Sequence, residues 1–215
     1  MVDFQSRDTR QDDEDSGEEE AEGEGDGSEH GDEADSPAED ERAHDHEDDD
    51  EHHHHHHDAE QVGVAVLTVS SSRSLSDDPA GDTIVEAFEA DGHEVVTREL
   101  VADGYDRVQS ALDNLAGRED VDVVVTSGGT GVTPDDVTVD AARPLFDREL
   151  PGFGEVFRRL SFDDIGTKVV GSRATGGVVE GTLVFCLPGS EHAAELGTES
   201  VILPEITHLV GLARR

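Results

Sequence analysis

The residues of this chain best suited to chemistry follow one short apolar run. Ser127-Gly128-Gly129-Thr130-Gly131 comes directly after Val121–Thr126, a β-branched stretch that reads as a buried strand. Glycines let a backbone turn sharply and approach a ligand closely, and successive N–H groups in such a turn form a nest for an anion. One reading is therefore a phosphate-contacting loop; the other is a tight strand-to-helix turn with no ligand. The loop is not a Walker A motif, which needs a Lys after its second Gly, and Gly129-Thr130-Gly131 does not complete a dinucleotide fingerprint. Just beyond, Thr133-Pro134-Asp135-Asp136 has the order of a capped helix start, with Thr133 as N-cap, Pro134 at N1 and Asp136 as its acidic N3 partner. Thr138 is an equally good N-cap for the helix that follows. On residue types alone, capping is the simpler role for Asp136 and a catalytic carboxylate the sharper one.

Other reactive side chains read mostly as structural. Cys186 sits in the apolar run Leu183–Leu187 and is expected to be buried and inert. His93, His192 and His208 are isolated, and Phe146, Phe153 and Phe157 read as core or subunit contacts. His52 to His57 are consecutive, with His44 and His46 nearby. Imidazoles bind transition metals, but this run lacks the spaced ligands of a closed site, so a solvated linker with weak metal binding is expected. Residues 143–173 carry six of the 12 basic residues found after residue 60, against five acids. Among them Arg173, at a predicted strand end, is the expected substrate contact.

These groups need a frame, and the hydrophobic pattern supplies one. Val62–Val69 reads as a strand, 70–82 as a loop, and a helix capped by Asp82 or Thr83 runs to about Ala90. His93–Leu100 is a second strand. Tyr105, Val108, Leu112 and Leu115 then mark one face of a helix that Gly117 ends. After the glycine loop the pattern predicts a helix over about 139–149 and another over Gly154–Asp163. Lys168–Val179 and Thr182–Leu187 read as a hairpin turning at Glu180-Gly181. Pro188-Gly189-Ser190 opens a helix, and a last one spans about Val201–Ala213. Alternating strands and helices predict an α/β fold, a mostly parallel sheet between helical layers, with ligands beyond the carboxyl ends of the strands.

Composition sets the boundary and excludes several classes. Residues 1–60 hold 27 acidic residues against 3 arginines, 9 of the 12 His and almost no aliphatic side chains. Such a segment cannot bury enough apolar surface to offset chain entropy, so 1–60 is expected to be a disordered tail and 61–215 one domain. The whole chain carries a net charge of −39. Nucleic acid and anionic membranes are poor partners for it, because both need clustered Lys and Arg. No apolar run approaches the roughly 20 residues of a spanning helix, no secretory leader is evident, and the lone cysteine cannot form an internal disulfide; a cytoplasmic location is expected. One Lys against 14 Arg, with many acids and few aromatics, matches the proteins of halophilic organisms, haloarchaea among them.

Taken together, the sequence Ser-Gly-Gly-Thr-Gly at 127–131, Asp-Val-Thr at 136–138, the block 145–167 (FDRELPGFGEVFRRLSFDDIGT from Phe146) and Leu-Pro-Gly-Ser at 187–190 resembles the MoaB/MogA family of molybdenum-cofactor biosynthesis. The resemblance covers 61–215, and the block 145–167 is more similar to the MoaB branch. It implies a three-layer α/β sandwich, assembled as a homotrimer or homohexamer. It also implies adenylyl transfer from ATP to the terminal phosphate of molybdopterin, with Mg2+ and release of pyrophosphate. The alternative it implies is a MoaB-type paralogue that binds molybdopterin with little turnover. Carried onto this chain, Ser127, Gly128, Gly129, Thr130 and Gly131 would hold phosphates, with Thr138 beside them. Asp136 and Asp103 would be the functional carboxylates and Mg2+ ligands, and Pro188, Gly189 and Ser190 would line the nucleotide end. Val139 and Ser72 depart from the family pattern, where Pro and an acidic or amide residue are frequent.

Residues 61–215 hold 27 acids against 12 basic residues, so self-repulsion opposes the compact state. The Debye length falls from about 10 Å at 0.1 M salt to about 3 Å at 1 M. The melting temperature, followed by circular dichroism, is expected to rise as KCl increases over that range; a flat profile would contradict this.

Overall fold

The structure, a computed structural model, describes residues 61–215; the expected disorder of 1–60 lies outside the described residues. Three strands, β1 (Gly63–Val69), β3 (Val123–Ser127) and β6 (Thr182–Leu187), are almost wholly buried. Covered on both faces, they read as continuous apolar runs without alternation. β2 (Glu94–Val101) flanks them and is only half-buried. β5 (Thr175–Val179) returns antiparallel to β6, and β4 (Arg148–Glu149) adds an antiparallel edge to β5. The sheet order is β2-β1-β3-β6-β5-β4, with the first four strands parallel. The β5–β6 hairpin turns at Glu180-Gly181, both at positive φ (49° and 89°), the backbone a two-residue hairpin turn requires.

Two helical layers cover the sheet. On one face α1 (Pro79–Ala90), α4 (Pro151–Ile165), α5 (Glu191–Gly197) and α6 (Ile206–Ala213) pack Ile84, Phe88, Phe157, Ala194 and Ile206 against Val64, Val66, Val125 and Phe185. On the other, α2 (Tyr105–Ala116) and α3 (Thr138–Ala142) pack Val108, Leu112, Leu115 and Ala141 against Ala65, Leu67, Val124 and Val184. This is the expected three-layer sandwich. No described helix is long and apolar enough to cross a membrane.

Several element boundaries differ from the sequence reading, and the helix expected over Gly154–Asp163 extends to Pro151–Ile165. The helix expected from Asp82 or Thr83 begins a turn earlier, at Pro79, with Asp78 as N-cap. The helix expected over 139–149 stops at Ala142 and gives way to a 3-10 turn at Arg143–Leu145. Pro144 has no N–H to continue the ladder, and Arg148-Glu149 is freed to pair with Val178 and Gly177. The strand expected over 168–179 starts only at Thr175, because Gly166–Gly171 winds into a 3-10 segment. Residues 198–205 wind as a π-helical turn (Thr198–Ile202) and a 3-10 turn (Leu203–Glu205), and the final α-helix begins only at Ile206.

Asp78 does more than cap α1. Its side chain is fully buried, accepts from the Thr68 hydroxyl (2.5 Å) and the Gly81 N–H (3.2 Å), and pairs with Arg98 (3.0 Å) and Arg73 (3.4 Å). Arg98 belongs to β2 and Thr68 to β1, so one carboxylate ties two strands to the helix between them. Burial works against its charge, but the hydrogen bonds from Thr68, Arg98 and Gly81 outweigh it and hold the carboxyl below its ordinary value of 3.8. The folded state thus binds this proton more weakly than the unfolded chain, so the stabilisation is complete above pH 3.8 and disappears as pH falls through the folded value. Asp78→Ala leaves Arg98 without its buried partner and is expected to cost about 3 kcal/mol or more. Thermal melts between pH 7 and pH 3 check this: the variant should melt far lower at neutral pH, and its deficit should shrink towards the acid end.

Candidate functional site

The carboxyl ends of β1, β2, β3 and β6 all open on one edge of the sheet, and the loops that leave them build the site. The loop after β3 is held from outside at four successive carbonyls. The Thr138 hydroxyl donates to the Gly128 carbonyl (2.8 Å) and the Thr138 N–H to that of Gly129 (3.0 Å). The Arg173 N–H donates to the Thr130 carbonyl (2.9 Å) and its Nε to that of Gly131 (2.6 Å). The Gly128 N–H donates back to the Leu187 carbonyl of β6 (2.9 Å). Gly128 and Gly129 sit at φ +103° and +68°, and a Cβ on Gly128 would lie 2.3 Å from the Val69 carbonyl oxygen. Only glycine tolerates both constraints. With its carbonyls taken, the loop keeps the N–H groups of Gly129 and Thr130, for which no described residue supplies an acceptor, as donors for a ligand.

Beside this loop lies a cavity of about 370 Å³. Thr130, Gly131, Thr133 and Asp136 form one wall, Pro188 and Ser190 another, and Phe157, Ile165 and Val169 the apolar floor. Such a mixture, apolar area with a few placed polar groups, suits a small-molecule ligand. Asp136 is therefore at the cavity as expected, but the capped helix expected at Thr133 is absent. The Thr133 hydroxyl (2.6 Å) and N–H (2.8 Å) instead donate to the Asp136 carboxylate within a turn. Partial burial opposes its charge, but these bonds, the Gly131 N–H and the nearby Arg173 guanidinium prevail and hold the Asp136 carboxyl below the ordinary range. It is ionised at neutral pH.

The other expected site residues divide. Thr138 is not an N-cap; it is the first residue of α3, and its hydroxyl fastens the glycine loop. Ser190 caps α5 by accepting from the Ala193 N–H (3.2 Å), and Gly189 packs against Gly128. Ser127 is buried at the end of β3 beneath the loop. Arg173 lies ahead of β5, not on a strand. Its guanidinium donates to the Gly131 and Asp136 carbonyls and to both Asp140 carboxylate oxygens (3.0 Å each), so it holds the glycine loop and the Asp136 turn in position. Asp103 does not line the cavity. It follows β2, accepts from the Ser71 N–H (2.8 Å), and its own N–H donates to the Ser71 hydroxyl (3.1 Å), so it orders the loop after β1. Burial pushes the Cys186 thiol up to about 11, in keeping with an inert core residue.

Sequence reasoning misses three features. Asp78 has a legible signal, since Asp-Pro is a natural N-cap and N1 pair. Phe157 reads from the sequence as a core or subunit contact alone, although it faces the cavity as well. Lys168 and His192 also line the cavity, on segments far apart in sequence that nothing local marks as neighbours.

The mostly parallel α/β sandwich, with a clamped glycine loop and an adjoining half-apolar cavity at the carboxyl ends of its strands, is a domain of the doubly wound class. A family profile described as "Probable molybdopterin binding domain" matches residues 65–208. Molybdenum cofactor biosynthesis protein B of Halalkalibacterium halodurans is 43% identical over 146 residues, covering 67% of this chain and 86% of that protein. Among solved structures, the tungsten cofactor synthesizing protein MoaB from Pyrococcus furiosus aligns with a TM-score of 0.66 at 36% identity, covering 73% of this chain and 99% of that one. The molybdopterin biosynthesis enzyme MoaB from Thermus thermophilus aligns with a TM-score of 0.64 at 34% identity, covering 71% and 96%. The chain belongs to the MoaB/MogA family of molybdopterin-binding, molybdenum-cofactor biosynthesis proteins.

Gly128→Ala tests the geometry of the loop. Positive φ and the approach to Val69 together should cost about 2 kcal/mol or more, lowering the melting temperature by about 4 °C or more. Gly152→Ala is the control, because a Cβ there meets nothing; an equal effect of the two would contradict the close approach.

Proposed function

We propose that this protein works in molybdenum- or tungsten-cofactor biosynthesis as a molybdopterin adenylyltransferase. In that reaction a terminal phosphate oxygen of molybdopterin attacks the α-phosphorus of ATP. The new P–O bond forms as the bond to the β-phosphate oxygen breaks, and pyrophosphate leaves with the electron pair. Such transfers depend on positioning and charge neutralisation more than on covalent catalysis. The observation that carries the reading is the pairing of a clamped glycine loop with an ionised Asp136 on the wall of one cavity. The loop would hold phosphate oxygens through its N–H groups, and the apolar floor around Phe157 would take a ring.

A lone carboxylate next to phosphates is repulsive unless a cation lies between them. One or two carboxylates with phosphate oxygens and water are the usual donors for Mg2+. Among the described residues no three His, Cys, Asp or Glu side chains converge, so Asp136 fits an ion brought in on ATP phosphates. Mg2+ bound there would neutralise charge developing on the phosphates. Asp103 would act through the loop it orders after β1. A cytoplasmic location and a homotrimeric or homohexameric assembly belong to the same proposal. A second reading, a paralogue that binds molybdopterin without turnover, is favoured by one observation: Asp103 stands outside the cavity.

Incubation of the full chain with molybdopterin, ATP and Mg2+, followed by chromatography of the pterin products, separates the two readings. Adenylylated pterin is the expected product. Asp136→Asn keeps an acceptor for Thr133 and should melt within about 3 °C of wild type, yet lose about 100-fold or more in turnover, the scale on which one transition-state group acts. Wild-type turnover in that variant would remove Asp136 from the chemistry.

A further inference from the structure

The chain contains a single lysine, and the fold sets it on the cavity. Lys168 lies in the 3-10 segment Gly166–Gly171 and lines the same cavity as the glycine loop's residues Thr130 and Gly131. The neighbouring cations are committed elsewhere. Arg173 is bound to Asp140 and to two loop carbonyls, and Arg158 donates to the Ala174 carbonyl (2.9 Å). Arg143 faces Glu149 at 3.8 Å, and His192, also on the cavity, is held by Asp164 at 3.0 Å. Arg148 lines a different depression at the opposite end of the sheet, and Arg159 another on the outer side of α4. Among the described residues no carboxylate lies within ion-pair distance of Lys168. Of the two basic residues that line the cavity, His192 pairs with Asp164, whereas Lys168 pairs with no described carboxylate.

We infer that Lys168 is the cation that seats the phosphate chain of the ligand in this cavity, which it lines together with the glycine loop. A polyanion approaching an acidic protein meets a repulsive field, and a local unpaired ammonium is the simplest means of reversing it at the point of entry. Lysine suits this role, because its compact charge on a flexible stem can follow a phosphate chain without the fixed geometry of a guanidinium fork. The assignment of that chain to ATP rests on the adenylyl-transfer reading; the anion site itself does not.

The single lysine makes the test specific, because an amine-acylating reagent can modify the side chain of Lys168 and otherwise only the chain's terminal amine. The full-length protein is acylated with and without inorganic tripolyphosphate, and the rate at each amine is followed by mass spectrometry. Tripolyphosphate should slow acylation of Lys168 at least about fivefold and leave the terminal amine unaffected. By calorimetry, Lys168→Gln should bind tripolyphosphate about tenfold more weakly, the scale of one charge-assisted contact, while Lys168→Arg stays within about twofold of wild type. Unprotected Lys168, or undiminished binding by Lys168→Gln, overturns the inference. In turnover assays Lys168→Gln should raise the KM for ATP and leave that for the pterin unchanged. Protection by tripolyphosphate without adenylylated pterin would sustain the anion site and sink the adenylyl-transfer reading. Normal turnover and an unchanged ATP KM in Lys168→Gln would do the reverse.

Discussion

Four backbone carbonyls in a row, Gly128 to Gly131, accept hydrogen bonds from Thr138 and Arg173, and the rest of the site follows from that arrangement. A glycine-rich segment left to itself has many conformations and loses much entropy when it orders. Here the cost is offset by donors on two elements that are otherwise unrelated, the first turn of α3 and the stretch before β5. With the carbonyls turned to protein, the N–H groups of Gly129 and Thr130 are the ones for which no described residue supplies an acceptor. Arg173 also reaches the Asp136 carbonyl, so the same guanidinium that shapes the loop fixes the turn bearing the cavity's carboxylate.

Charge is the second constraint. A strongly acidic protein repels any anionic ligand unless its own charges are locally engaged. Asp78 and Asp140 are neutralised by arginine, and Asp136 accepts from a hydroxyl and two N–H groups, so much of the negative charge at this edge is already engaged. Arg73, Arg98 and Arg173 are engaged in these pairings, and the one lysine lines the cavity. Structural arginines and a ligand-facing lysine divide the labour along chemical lines: planar forks for fixed acceptors, a mobile ammonium for a moving one.

The two carboxylates expected to act together are instead built into different loops. Asp136 closes a turn on the cavity wall, whereas Asp103 braces the segment after β1 through reciprocal bonds with Ser71. Both still stand at the carboxyl edge of the sheet. That edge is also where Asp78 joins β1, β2 and α1, so the loop after β1 is anchored by a buried ionic knot.

By itself the sequence determined the layered α/β class, most strand positions and the glycine loop, because these follow from local periodicity and from the one residue that tolerates positive φ. An apolar run such as Gly63–Val69 has no alternative but burial on both faces. What it could not determine was which side chains meet. Thr138 reads as a cap in isolation, yet only folding brings its hydroxyl to the Gly128 carbonyl. Arg173 reads as a ligand contact, and only folding brings its donors to residues 33 to 42 positions away. The helix expected past Ala142 gave way to an edge strand because β5 offered backbone partners that local propensity does not see. Lys168 is one charge among many in the chain and becomes distinctive only when the tertiary structure sets it, unpaired by any described carboxylate, on the cavity beside Thr130 and Gly131. Periodicity is a property of neighbours along the chain, whereas a site is made by hydrogen bonds and charges that converge across it.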